Sequence, residues 1–584
     1  MVRKNLGILV TTALIVLFLY YASQFNNPLN GSQKKITDIN YRSDVTGTSG
    51  MVVSASKYAS QVGIDILKNG GNAIDAAVAM GFALTVTYPQ AGNIGGGGFM
   101  VIKTKDKITT IDYREKAPAG STRNMFLDDK GNFLPEKSQV GHLSAGVPGA
   151  VAGMLYALEK YGSMKREDVL APSIMLAEDG FEMEDRLAES LNSNYDLFSK
   201  FPSSKKVFTK GGLNFSAGEL FKQKDLANTL KLISIHGRDG FYSGITAELI
   251  VAEMQRGGGI ITAGDLLAYQ PVEREPVHTN YKGYEVYSMA PPSSGGIALI
   301  QLLNMIEKES IPNRNDVYYG IKEQSNYYHT VIESMKRVYA DRSEHLGDPD
   351  FWKVPVNELI NKEYAKERRN DIGDNSTPAN EIKPGVFVKE SDQTTHYSVI
   401  DKDGNMVSVT TTLNNTYGSG VVVDGAGFLL NDEMDDFASK PGEPNMFGLI
   451  GNEANAIVPG KRMLSSMTPT IILKDGNPFL VIGSPGGGRI ITSVFTSIVN
   501  IIDFKMSLDS AIDRPRFHHQ WQPEYLQYEA GAIDDEVMAK LIEKGHQVKQ
   551  IPDYGRVEGI LIDWKNKTYY GHSDRRGYGA AIGY

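Results

Sequence analysis

The chain of 584 residues contains no cysteine. Disulfides, Cys-ligated zinc, iron–sulfur clusters and a thiol nucleophile are therefore excluded together. A cationic excess is lacking as well: 60 Lys+Arg stand against 69 Asp+Glu, a formal charge of −9. A dedicated nucleic-acid binder needs the opposite balance, so no nucleic-acid partner is expected. Three further signatures are missing. The glycine runs 95–98 and 486–488 are not followed by Lys-Ser/Thr, which removes a phosphate-binding P-loop. No His-Glu-x-x-His occurs, and the neighbours His518 and His519 would point oppositely in a strand. No Gly-x-Ser-x-Gly elbow marks an α/β-type serine hydrolase. What is present is a globular balance, 41% hydrophobic and 22% charged, enough to bury a large core and too apolar for a disordered chain.

The chain begins with a targeting pattern. Arg3 and Lys4 precede an apolar run, 6–22, interrupted only by Gly7, Thr11 and Thr12. A basic start before such a run reads as a secretory signal or a retained anchor. Tyr21-Ala22-Ser23 is a poor cleavage site, so both remain open. Residues 1–32 are set aside as this element plus a polar tether. The rest is expected outside the cytoplasm, periplasmic or extracellular, touching a membrane only through 6–22.

The body alternates helices and strands. Residues 54–69 carry Ala55, Ala59, Val62, Ile66 and Leu67 on one stripe and stop at Gly70-Gly71, a C-cap signal. Residues 73–84 are small and apolar all round, which predicts a buried helix. Further helices are predicted over 149–160, 169–178, 294–307, 326–339 and 490–502. Strands are predicted over 99–103, 108–112, 286–289, 468–473 and 479–482. The polar stretch 365–393 reads as a surface linker. This mixture points to a layered α/β or α+β body.

The segment after that stretch is the most informative. Residues 394–400 and 406–412 are β-branched and alternating, and they flank Asp401-Lys402-Asp403-Gly404-Asn405, a strong hairpin signal. With Gly404 at the positive-φ position, Thr394 falls opposite Thr412, His396 opposite Thr410 and Ser398 opposite Ser408. Tyr397, Val399, Val407 and Val409 take the other face. One face is apolar and the other carries hydroxyls. Threonines suit a sheet face on structural grounds alone. The chemical reading is that Thr394 becomes a nucleophile. A threonine hydroxyl needs a base, and one solution is its own α-amino group, freed by cleavage of Gln393–Thr394. That amine titrates near pH ~7.7–8.0 and can accept a proton at neutral pH.

Gln393-Thr394-Thr395-His396-Tyr397-Ser398 resembles the processing site of the γ-glutamyltransferases (γ-glutamyl transpeptidases, glutathione hydrolases) of the N-terminal nucleophile superfamily. Asp112–Pro118, Gly70–Ala77, Pro291–Gly296, Leu464–Met467 and Gly483–Gly487 resemble further blocks of that family, and the likeness runs over roughly 45–584. The resemblance implies an α+β, four-layer αββα sandwich built from two autoproteolytic fragments, 33–393 and 394–584, forming one intertwined heterodimer. It implies no cofactor and no metal. It implies γ-glutamyl transfer from glutathione or related compounds through a Thr394 ester, to water or to amino-acid and dipeptide acceptors.

Site roles follow from the resemblance, position by position. Arg114, with its planar fork, would take the substrate α-carboxylate, helped by Ser465 and Ser466. Asn414, Glu433 and Asp436 would accept from the α-ammonium. Gly486 and Gly487 would offer backbone N–H groups to the oxyanion. Thr412 would contact the nucleophile. Each has a plainer reading: a surface Arg114–Glu115 pair, loop serines, a solvated acidic loop, a glycine turn. The chain also departs from the family. Met463 stands where many relatives have Pro, Glu433 where some have Gln, and Phe447 near a lid-loop Tyr of several bacterial relatives; 440–460 is long enough for a lid. The other class considered is a membrane-anchored, non-catalytic amino-acid or solute-binding protein, which would keep an intact chain.

Overall fold

The computed structural model describes residues 39–309, 320–382, 393–440 and 452–584. The leader at 1–32, the end of the polar stretch (383–392), and Phe447 with most of 440–460 lie outside the described residues. Among the described residues no helix is long and apolar enough to cross a membrane.

Two seven-stranded sheets form the centre of the body. The first runs Ala580–Gly583, Gly50–Ser54, Gln393–Asp401, Met406–Asn414, Gly97–Lys103, Ile108–Asp112, Val272–Arg274, with antiparallel neighbours throughout. The second runs Val45–Gly47, Thr568–Ser573, Glu558–Asp563, Asn477–Gly483, Thr470–Lys474, Tyr284–Ser288, Val277–Tyr281, again antiparallel. Each sheet combines strands from both sides of the 393/394 bond. Fragments cut there would therefore share their sheets rather than form separate domains.

Alternation along the strands builds the layers. Met51, Val53, Val101, Ile400 and Met406 of the first sheet pack against Ile471, Val481, Ile560 and Ile562 of the second, closing the interior. The expected apolar face (Tyr397, Val399, Val407, Val409) lies outward, under the helices Lys57–Lys68 and Ala73–Thr87. The latter is buried along all 15 residues and opens with an Asn72/Asp75 capping box. Helices Gly295–Ile306 and Arg489–Ile502 cover the second sheet, and Ile321–His345 packs on Gly295–Ile306. The result is the four-layer αββα sandwich of an α+β fold.

Two expectations change. The helix predicted over 326–339 extends to Ile321–His345, because its polar residues Lys336, Arg337, Asp341 and Arg342 are themselves buried and paired. Apolar spacing alone sees only the middle. The supposed linker is largely tied down in its described part. Lys362–Asn370 is helical, Ala379 is fully buried, and Trp521 Nε1 donates to the Ala379 carbonyl at 2.6 Å.

The run Gly95–Gly98 is explained by packing. A Cβ on Gly96 would collide with the Thr412 carbonyl, and one on Gly98 with the Thr410 carbonyl. Bare backbone is what lets Gly97–Lys103 lie against Met406–Asn414.

Candidate active site

The hairpin turn is as the sequence predicts. Gly404 sits at φ +78°, and the Asp401 carboxylate accepts from the Asp403 and Asn405 amides at 2.9 and 3.0 Å. The register holds from Ile400↔Met406 to Thr395↔Thr411 and then breaks, resuming at Gln393↔Asn414. Thr394 alone thus spans Thr412 and Leu413. This corrects the direct Thr394–Thr412 pairing: the pair sits in a bulge, where one residue opposes two and the side chains are re-aimed. Thr394 and Thr412 are 4% and 3% exposed, so the bulge is nearly closed to solvent. The Thr412 hydroxyl accepts from the Asn414 amide at 2.8 Å, and its carbonyl accepts from Asn93 Nδ2 at 2.8 Å.

The hydroxyl face points into the sandwich. His396 lies between Thr410 Oγ1 at 2.9 Å and Ser398 Oγ at 3.1 Å, and Ser408 Oγ accepts from the Thr470 amide at 3.0 Å. Burial pushes the His396 imidazole down to about 3, so it stays neutral and takes up no proton near pH 7.

Arg114 follows the strand Ile108–Asp112 and is fully buried. Its Nη1 meets Glu433 at 2.7 Å and Glu115 at 3.5 Å, and its Nη2 meets Asp436. Nε and Nη2 also reach the Met463 and Leu464 carbonyls at 3.3 Å. The surface reading of Arg114 with Glu115 is thus wrong: both are interior. The stretch Asn431–Asp436 is no solvated loop either, since all six residues are buried. Asn431 fixes it by bonds to the Gly95 and Gly146 backbone, and Asn414 Nδ2 donates to the Asp432 carbonyl at 3.1 Å. Asn414 takes φ +79°, a left-handed conformation that asparagine tolerates.

These carboxylates outnumber the cation. Burial raises Glu115 to about 7 and lifts Glu433 well above its ordinary value; it also raises Asp436, despite the opposing pull of Arg114. Both Glu115 oxygens and Asp436 Oδ1 find no hydrogen-bond donor among the described residues. The pocket is thus set up to accept a cationic group.

Ser465 and Ser466 come next along the chain from the carbonyls that hold Arg114. Ser465 Oγ accepts from the Met467 amide at 3.1 Å, and Ser466 Oγ accepts from Arg342 Nη2 at 2.9 Å. Arg342 also donates to Ser294 Oγ at 2.7 Å, and Ser294 binds the Ser465 carbonyl. One helical turn back, the Tyr339 hydroxyl donates to the Gly488 carbonyl. Gly486 and Gly487, at φ +131° and +57°, form the turn between the strand Asn477–Gly483 and the helix Arg489–Ile502. Gly483 lies so close to the His396 ring that a Cβ would overlap it, which brings this turn to the Thr394 end of the hairpin. Sequence reading missed Glu115 as a pocket member, and also Asn93, Tyr339 and Arg342. Their signal is burial of polar groups, which no local pattern reveals.

Comparison with known proteins agrees with this geometry. The family model described as Gamma-glutamyltranspeptidase matches residues 59–584. A glutathione hydrolase proenzyme of Escherichia coli K12 is 50% identical over 537 residues, covering 91% of each chain. A solved cephalosporin acylase from Bacillus halodurans superposes with TM-score 0.82 at 28% identity, covering 94% of this chain and 98% of its own. A solved Helicobacter pylori γ-glutamyltranspeptidase chain, 47% identical, gives TM-score 0.55 and covers 59% of this chain and 97% of its own. The chain belongs to the γ-glutamyltranspeptidase family.

Proposed function

We propose that this chain is the precursor of a γ-glutamyltransferase and glutathione hydrolase whose nucleophile is Thr394. The precursor cuts Gln393–Thr394, giving 33–393 and 394–584 as interlocked subunits. The freed Thr394 amine then takes the proton from Thr394 Oγ. Oγ attacks the γ-amide carbon of glutathione or a related donor, and the oxyanion is met by the Gly486 and Gly487 N–H groups. The amide C–N bond breaks, the proton passes to the leaving amine, cysteinylglycine departs, and a γ-glutamyl ester remains. Water resolves the ester as hydrolysis; an amino acid or dipeptide amine resolves it as transpeptidation.

The donor's head is held by charge. Arg114 turns from its internal carboxylates to the α-carboxylate, with Ser465 and Ser466 donating their hydroxyl hydrogens. Glu433, Asp436 and the Asn414 side-chain oxygen take the α-ammonium. A zwitterionic ligand leaves the pocket's net charge unchanged while its ammonium gives Glu433 and Asp436 a donor, which offsets part of the desolvation. The mature enzyme acts outside the cytoplasm, delivered by the 1–32 leader.

The observation that carries this reading is a buried threonine in a bulge opposite Thr412, whose strand partner Gly97 lies against Glu115 of the arginine–carboxylate pocket, in a chain matched nearly end to end by the family. The binding-protein alternative finds no such support. The test is Thr394→Ala, which should remain one chain on denaturing electrophoresis and release no product from a γ-glutamyl anilide. If that variant still splits at 393/394, Thr394 is not the processing nucleophile.

A further inference from the structure

A second feature adjoins the Gly486 turn. A cleft of ≈ 340 Å³ is walled by Gly486, Arg489, Tyr554, Arg556 and Arg186, with Asp553 among its lining residues. The guanidinium of Arg556 lies 5.3 Å from the Tyr88 ring centre, that of Arg489 5.2 Å from Tyr554, and that of Arg186 4.4 Å from Tyr578. Cation–π attraction helps hold each guanidinium over its ring. Arg489 Nε donates to Gln527 Oε1 at 3.0 Å, and Arg186 Nη1 to the Arg576 carbonyl at 2.5 Å. Among the described residues the Arg556 guanidinium has no carboxylate within 4.0 Å, whereas Arg576, also in the lining, is neutralised by Glu529 and Asp574. Asp553 is exposed and paired with Arg575 at 3.6 Å. The cleft is a net cationic recess sharing a wall with the turn assigned to the oxyanion.

We propose that this recess is the subsite for the peptide half of the reaction, with Arg556 binding the C-terminal carboxylate of the departing cysteinylglycine and, in transpeptidation, of a dipeptide acceptor. The inference rests on the γ-glutamyl transfer reading and extends it to the other side of the scissile bond. The sign of the charge fits, and the recess is lined by both Gly486 and Arg556. Two residues beyond the amide nitrogen, an extended chain places its carboxylate ~7 Å away. Arg556 is tied to the turn itself, since its backbone amide donates to Ser484 Oγ at 3.3 Å. The two ends of the donor then meet opposite environments, an acid-rich pocket for the glutamyl head and an arginine-lined recess for the tail.

The experiment compares three donors on the processed wild type: glutathione, its glycinamide analogue lacking the tail charge, and a γ-glutamyl anilide lacking the tail. The amide should show a kcat/KM about tenfold below glutathione, the size of one charge-assisted contact in a half-open site. Arg556→Met should lower kcat/KM for glutathione about tenfold more than for the anilide and bring glutathione and its amide level; Arg556→Lys should restore part of the gap. Equal rates for acid and amide in the wild type, or an equal loss on all three donors in Arg556→Met, overturns the subsite. If Arg556→Met yields no processed fragments, the wild-type acid–amide comparison decides. A wild type inactive on every donor refutes the γ-glutamyl reading instead.

Discussion

Removing Arg114 tests the pocket on two independent readouts. In Arg114→Met, Glu433 loses its 2.7 Å partner, Glu115 its 3.5 Å partner, and Asp436 its cation. Three fully buried carboxyl groups are left without a positive charge, so each holds its proton to higher pH than before. Stripping one partner from a buried ion pair costs about 3–5 kcal/mol, and that cost applies where the carboxyls would otherwise ionise. The sign follows. Folded-state values raised above the unfolded ones give stability that is present at low pH and lost as pH rises. Arg114→Met should thus lie close to wild type at pH 5 and fall progressively below it towards pH 8.

The kinetic readout is separate. A bidentate guanidinium–carboxylate contact comprises two charge-assisted hydrogen bonds, each about 1.5–3 kcal/mol. On the proposed reading Arg114 exchanges its internal carboxylates for the ligand's, so the lower bound applies to the net. About 3 kcal/mol corresponds to a kcat/KM roughly a hundredfold lower on a γ-glutamyl anilide. The proposed processing at 393/394 would use no glutamyl head group and should persist. Arg114→Lys keeps the charge without the fork, so it should recover thermal stability at pH 8 but only part of the kinetic loss. Melting midpoints across pH 5–8, fragment patterns and donor kinetics on the three proteins are sufficient. A Met variant whose stability tracks wild type at every pH, or a Lys variant with wild-type kcat/KM, refutes the reasoning.

Other outcomes follow from the same geometry. Glu115, raised by burial to about 7, contributes stability below its unfolded value near 4.5 that is lost as pH rises through 7; Glu115→Gln should flatten the melting midpoint over that window, and an unchanged slope would place the titration elsewhere. Gly483→Ala drives a Cβ into the His396 ring, an overpacking that costs about 1–3 kcal/mol and displaces the following turn, so both the melting midpoint and turnover should fall; a variant with wild-type values for both would show that the contact relaxes freely. Thr394→Ser keeps a hydroxyl and an α-amine and should still process, traced by the appearance of two fragments over time; a Ser variant that never splits would mean the methyl group positions the attack.

How far the sequence leads depends on whether a residue's role is written locally or across the fold. The hairpin is local: alternation and an Asp-Gly turn determine faces, turn geometry and most of the register, and the structure keeps them from Thr395 to Ile400. The one step that differs, the bulge at Thr394, depends on Asn414 in a left-handed conformation and on Asn93 gripping the Thr412 carbonyl, contacts that arrive from 319 residues away. The acidic run 431–436 shows the same limit more sharply. Read alone, it belongs in water. It is buried because Asn431 ties it to the Gly95 and Gly146 backbone and because Arg114 enters from the segment that follows the strand Ile108–Asp112. A polar residue at an interior site carries no periodic signature, since its partner is set by topology rather than spacing. Family resemblance singled out Arg114, Glu433 and Asp436, which the fold brings together, where periodicity could not, yet it did not reach Arg342 or Tyr339. Those two lie on a helix before the proposed cut, and they grip Ser466 and Gly488, which lie after it. If cleavage at 393/394 occurs as proposed, the catalytic pocket depends on contacts that cross between the fragments, and separating them should abolish turnover even though Thr394 and the glycine turn belong to the smaller one.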